Sequence, residues 1–193
     1  MVYGVGISGS EKCKVNGVHI KSYEVWHDML KRCYSAYVHK KRATYIGCTV
    51  CEEWLNYSNF KKWYDENIYY IEGQKMHLDK DILVKGNKIY SPETCVFVPQ
   101  DINVLFTKTN AKRGNYPIGV YFKIESQKYV AQLQDNIKNK NLHLGYFYSP
   151  FKAFNAYKSA KEKYIKEMAD KYKNQIPEKV HNAMYKYTVE ITD

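Results

Sequence analysis

Residues Met76–Asn103, MHLDKDILVKGNKIYSPETCVFVPQDIN, decide how this chain is read. Two short apolar runs flank a turn signal, Lys85-Gly86-Asn87-Lys88, and Pro99-Gln100 then opens a segment carrying Ile102, Asn103, Leu105 and Phe106. That order predicts a β-hairpin over about 76 to 98 followed by a helix. The same stretch concentrates His77, Asp79, Lys80, Asp81, Asn87, Glu93 and Asn103. A carboxylate at a strand end and an amide on the next helix are hard oxygen ligands, which suit one Mg²⁺ or Mn²⁺ ion better than a structural zinc.

Upstream, residues 1 to 20 alternate glycines with Val2, Val5, Ile7 and Val15 and read as irregular structure or a short hairpin. SYEVWHDMLKRCY then places Trp26, Met29, Leu30 and Cys33 at helical spacing, with Ser22 as N-cap. Lys31 and Arg32 fall off that stripe, where they can face a ligand. The run His39-Lys40-Lys41-Arg42 reads as a basic loop, either solvated or in contact with phosphate. Cys48-x-x-Cys51 is half a zinc site, but neither Cys33 nor Cys95 brings a second ligand at the required spacing, so the thiols read as small buried groups. EEWLNYSNFKKWYDEN predicts a helix with Trp54, Tyr57, Phe60 and Tyr64 on its core face.

Downstream, residues 107–117, TKTNAKRGNYP, are polar, basic and turn-rich, the composition of a linker. They separate an expected N-terminal domain, 1–106, from a C-terminal one, 118–193. IGVYFKIESQKYVAQLQ predicts two strands joined by a tight turn, NLHLGYF a third, and Ser149-Pro150 the start of a long helix to about Tyr172. The tail from Glu178 reads as a short helix with a strand-like end. The fold class expected is therefore α+β: N-terminal helices around a hairpin-helix unit, then a three-stranded antiparallel sheet covered on one side by one long helix. The other side would present Tyr121, Lys123, Lys128, Gln132, Gln134 and Lys138, with Arg113 of the linker and Lys140 beside them. Long cations and amides on a sheet face suit phosphates and base edges, although a solvated sheet face has the same alternation.

Composition agrees with a folded protein, not a disordered tail: 193 residues, 45% hydrophobic and 26% charged. No apolar run approaches the roughly 20 residues of a membrane span, and the N-terminus lacks a signal peptide's apolar core, so a cytoplasmic protein is expected. Five cysteines without framework spacing point to thiols. Charge is unevenly spread: 8 basic and 3 acidic residues in 1–50, 6 and 9 in 51–105, 16 and 8 in 106–193. Basic flanks around an acidic middle fit a polyanion held by the ends with a divalent ion at the centre, and equally a well-solvated basic surface.

Two resemblances sharpen this. Gly119-Val120, Tyr129-Val130-Ala131, His143-Leu144-Gly145-Tyr146-Phe147 and Ala153 to Tyr157 follow, in order, the pattern of the ethylene-response-factor (APETALA-type) DNA-binding domain. The resemblance implies a sheet lying in the DNA major groove. The front of the chain, W-x-x-M-x-x-R-C-Y from Trp26, then V-C-E-E-W, F-x-x-W, LDKDI, YSPETC and IN, resembles phage and mobile-element HNH homing-type endonucleases, a family that joins such nucleases to APETALA-type domains. It implies a ββα-metal site with a histidine base beside a metal-binding Asp and an Asn. Asp79 and Asn103 match the metal-ligand positions. Asp79-Lys80 stands where Asp-His would be expected, and Thr94-Cys95 where Asn-Cys is common, which leaves His77, Asp79 or Lys80 to activate water.

These readings set the expectation of a metal-dependent double-stranded DNA endonuclease or nickase, with catalytic His77, Asp79 and Lys80 and a metal on Asp79 and Asn103, acting as a monomer or weak dimer. The alternative is a non-catalytic DNA-binding protein on the same scaffold, a phage regulator or anti-defence factor.

Overall fold

Because Trp26, Met29, Leu30 and Cys33 recur at the helical interval, α1 (Lys21–Tyr34) turns all four into the protein, where each is buried. In the computed structural model, which describes residues 1–107, 116–135, 140–191 and 193, the chain is α+β and divides into two compact units, Met1–Val98 and Pro99–Asp193. The division falls ahead of the linker read at 107–117, of which 108–115 lie outside the described residues.

In the first unit, β1 (Lys14–Val15) and β2 (Val18–His19) form a hairpin whose turn residues Asn16 and Gly17 both have positive φ, the requirement of a type I′ turn. Helix α1 follows. Its N-cap is Ile20, without a side-chain cap, and not Ser22. Ser22 is buried as the second residue of the helix, its hydroxyl 2.8 Å from the Tyr57 hydroxyl.

Helix α2 (Ala36–Lys41) is capped by the Ser35 hydroxyl, and β3 (Thr49–Val50) leads through a 3₁₀ turn to α3 (Tyr57–Asn67). Tyr57 of α3 lies 5.4 Å from Trp26 of α1, whereas Trp54, expected on the same helix, falls in the 3₁₀ turn ahead of it, lies 5.1 Å edge-on to Phe60 and accepts from Trp26 Nε1 at 2.7 Å through its carbonyl. Fully burying one such large apolar side chain stabilises by about 1.5–3 kcal/mol.

The hairpin expected around Lys85–Lys88 does not close on itself. Strand β4 (Met76–Asp79) pairs with β6 (Val96–Pro99), whereas β5 (Ile89–Tyr90) leaves to pair in parallel with β3, Thr49 opposite Ile89 and Val50 opposite Tyr90. The turn signal was real, but Ile89 and Tyr90 bond to β3 backbone, so a loop separates the two strands that do pair.

The second unit begins with α4 (Gln100–Phe106), which buries Ile102 and Leu105. Its sheet is antiparallel, β7 (Val120–Lys123), β8 (Lys128–Asp135) and β9 (Lys140–Phe147), with β8 central. Helix α5 (Pro150–Tyr172) packs across the three strands, and α6 (Glu178–Lys186) packs on α5. The tail beyond α6 forms no strand among the described residues. Leu133, Phe154, Tyr157 and Val189 make the core between sheet and helix, joined by Val120 and Leu144. Helix and sheet are also tied by polar contacts, since Tyr164 Oη donates to the buried Asp135 carboxylate at 2.8 Å. Gly119 enters the sheet at φ +74°, and a Cβ there would stand 2.0 Å from the Tyr157 ring. Only glycine lets the chain pass so close to α5.

Candidate nucleic-acid interface

Directly opposed residues in an antiparallel pair share a face, so the register of the sheet sorts its side chains. Val120 opposite Ala131, Phe122 opposite Tyr129 and Leu133 opposite Leu142 lie on the α5 side. On the other side stand Lys123 opposite Lys128, Tyr121 and Tyr146 flanking Val130, Gln132 opposite His143, and Gln134 opposite Asn141. Tyr121, Gln134, Asn141, His143 and Tyr146 are exposed, and Lys123, Lys128 and Gln132 half-buried. Val130 is 1% exposed at the centre of this face, between the two tyrosines. Five residues expected there from the sequence, Tyr121, Lys123, Lys128, Gln132 and Gln134, are thus brought together.

Asn141, His143 and Tyr146 were not anticipated. His143 and Tyr146 are three apart, and in a regular strand they would point to opposite sides. The register steps from Ala131 opposite Gly145 to Gln132 opposite His143, so Leu144 is passed over as the extra residue of a bulge, with Gly145 at φ +131°. Leu144 turns into the core, and the rings of His143 and Tyr146 meet with centroids 4.7 Å apart. The glycine inside an otherwise strand-like run is the sequence signal that could have revealed it.

The cations of the face are held by aromatic rings. Lys123 Nζ lies 5.7 Å from the Tyr146 ring centre and Lys128 Nζ 4.9 Å from that of Tyr148, which is 82% exposed. Lys140 stands opposite Asp135, on the α5 side of the sheet, and so does not join them. Arg113 and Lys138 lie outside the described residues.

In the first unit, the polar cluster of MHLDKDILVKGN is largely occupied in holding its own loop. Asp79 ends β4, and its Oδ1 accepts from the backbone N–H of Asp81 at 2.9 Å and of Ile82 at 2.7 Å, an Asx turn. Lys80 is 6% exposed, and its ammonium donates to the Asp81 carboxylate at 3.1 Å and the Asn87 carbonyl at 2.7 Å. Asn87 returns the link, its amide donating at 2.7 Å to the carbonyls of Lys80 and of Ile89. The ammonium and the amide clamp the two ends of the 80–88 excursion. Thr94 donates through Oγ1 to the Ile89 carbonyl at 2.9 Å.

Asp79 is also the electrostatically costly group of the loop. Burial, then the neighbouring Asp81 charge, push its carboxyl up to about 6, against the two amide bonds that pull it down. His77 is half-buried two residues earlier on β4 and shares a face with Asp79, while Leu78 between them is buried. Asn103 lies half-buried on α4, in the second unit. Among the described residues, no three His, Cys, Asp or Glu side chains gather as a metal site. What this loop offers a hydrated Mg²⁺ is two neighbouring carboxylates, Asp79 with one oxygen already engaged by two amides and Asp81 paired with the Lys80 ammonium, a partial site for an ion that takes one or two carboxylates.

The five cysteines are free thiols. Burial pushes Cys33 and Cys95 up to about 12, the behaviour of inert core residues. Arg32 does not face outward as its place off the stripe suggests. It is half-buried with its guanidinium 5.8 Å from the Tyr45 ring centre. The basic run is helical over His39–Lys41, and His39 Nε2 lies 3.0 Å from the Arg32 carbonyl, leaving Lys40, Lys41 and Arg42 exposed. No protein-family model, curated protein or solved structure matches the chain.

Proposed function

We propose that this protein binds double-stranded DNA through the face of the β7–β8–β9 sheet that lies opposite α5. One observation carries the reading: register and bulge gather two lysines, three amides and three aromatic rings on that one face. Neighbouring strands are about 4.8 Å apart, so the three-stranded ribbon has the breadth of a major groove about 12 Å wide. Lysines at one end of the ribbon meet phosphates, and the amides reach donors and acceptors on base edges. The basic excess of residues 106–193, 16 against 8, adds a long-range attraction for a polyanion. The resemblance of Gly119 to Tyr157 to APETALA-type domains supports the same docking. Fluorescence anisotropy of the full chain with labelled duplex, across a salt series and with single-stranded RNA as competitor, tests it. Salt-sensitive binding with duplex preferred is expected. Equal or tighter binding to the RNA would overturn it.

A second reading, phosphodiester cleavage with Mg²⁺ or Mn²⁺ as an HNH-type endonuclease or nickase, is favoured by the placement of His77 and Asp79 two residues apart on one face of β4. A histidine and a carboxyl raised to about 6 on one strand face form a candidate acid–base pair. Supercoiled plasmid incubated with either ion reports it. Nicking abolished by His77→Ala and by Asp79→Asn supports cleavage. Intact plasmid at protein concentrations that saturate duplex leaves the non-catalytic scaffold, a regulator or anti-defence factor.

A further inference from the structure

Resting on the duplex-binding reading, we infer that the sheet face selects A·T-rich DNA, with Gln132, Gln134 and Asn141 reading adenine and the exposed Tyr121 and Tyr146 rings receiving thymine methyl groups. The face is graded along the strands. Lys123 and Lys128 pair at the β7–β8 turn, Tyr121, Val130 and Tyr146 form a row across the middle, and Gln132, His143, Gln134 and Asn141 fill the far end.

Each zone has a different partner in a major groove. An amide presents a donor and an acceptor side by side, which matches N6 and N7 of adenine, whereas guanine is read chiefly by bidentate arginine. The chain's three arginines are Arg32, Arg42 and Arg113, and none is among the described residues of this face. The two lysines that could replace them stand over the Tyr146 and Tyr148 rings at the turn end, placed for backbone phosphate at the margin of the ribbon. The middle row is apolar. The rings of Tyr121 and Tyr146 are its exposed surface, flanking the buried Val130, and the one apolar group on the major-groove edge of a base pair is the thymine C5 methyl.

The test compares short duplexes of equal length whose central steps are A·T-rich, G·C-rich, or A·T-rich with uracil replacing thymine, against the full chain at fixed salt. The A·T duplex should bind about tenfold tighter than the G·C duplex, and removing the methyl alone should cost several-fold. Gln134→Ala and Asn141→Ala change exposed side chains, so folding is retained, and each should shrink the A·T preference. Lys123→Ala should instead weaken every duplex alike. Duplex binding with equal affinity for A·T and G·C centres, or for uracil and thymine, overturns the inference while leaving the duplex reading intact. Failure to bind any duplex overturns both.

Discussion

Asp79 is predicted to cost the fold stability through its charge while supporting it through its shape, and two substitutions separate these. In Asp79→Ala the backbone N–H groups of Asp81 and Ile82 lose their acceptor. At roughly 0.5–1.5 kcal/mol for each hydrogen bond, the loss is about 1–3 kcal/mol. In Asp79→Asn an amide oxygen takes the same position and can accept both bonds, while the buried charge beside Asp81 disappears. The raised carboxyl means that the folded state holds a proton more tightly than the unfolded chain does. Stability from this group is therefore greatest below the usual carboxylate range, falls as pH rises towards about 6, and stays at its low level above. Asp79→Asn should then equal or exceed the parent at pH 7 to 8, with the gain vanishing near pH 4. Urea unfolding of both variants and parent across pH 4 to 8 measures it. Asp79→Asn as destabilising as Asp79→Ala at pH 7, or a gain that grows on acidification, would refute the assignment of this carboxyl as a burdened turn acceptor. A stabilised Asp79→Asn that has also lost plasmid nicking would mark a residue kept for chemistry at the expense of stability.

Asn87→Ala removes three side-chain bonds, two donated to the Lys80 and Ile89 carbonyls and one accepted from the Ile89 N–H, and at roughly 0.5–1.5 kcal/mol each should lower stability by about 1.5–4.5 kcal/mol, seen as a fall in Tm. Gly119→Ala must place a methyl group against the Tyr157 ring at positive φ, and at about 1–2 kcal/mol for the backbone plus 1–3 for overpacking it should be among the most damaging small substitutions. Gly17→Ala, also at positive φ but with open space around its Cβ, should show only the backbone cost, so unfolding midpoints of the two isolate the Tyr157 contact. If the sheet grips duplex as proposed, the Lys123→Ala/Lys128→Ala double variant should reduce the slope of log affinity against log salt by about 1.8, at roughly 0.9 per phosphate contact. An unchanged slope would place both lysines away from the phosphates.

The periodic parts of this protein were legible in its sequence. The stripe Trp26, Met29, Leu30, Cys33, the row Tyr57, Phe60, Tyr64 of α3, and the strand-turn-strand-strand-helix order from Val120 to Tyr172 depend on local spacing, and each forms as that spacing dictates, with Trp54 alone left in the 3₁₀ turn before the helix. The five face residues from Tyr121 to Gln134 were also readable, because alternation along one strand and across one tight turn fixes which side each occupies.

What escaped the sequence was decided by partners far away in the chain. Ser22 sits at a plausible helix cap, yet the Tyr57 hydroxyl claims it. Ile89 and Tyr90 follow a turn that invites a hairpin, yet β3 takes their backbone bonds. Asp79, Lys80 and Asn87 have the chemistry of ligands, and the folded loop binds most of their donors and acceptors to itself. The single passed-over residue Leu144 brings His143 and Tyr146 to the same side of the sheet, which alternation by itself forbids. Period and turn chemistry are properties of neighbours along the chain and so are written in it. Strand pairing, bulge position and the spending of a polar group are settled only by which distant backbone arrives beside it.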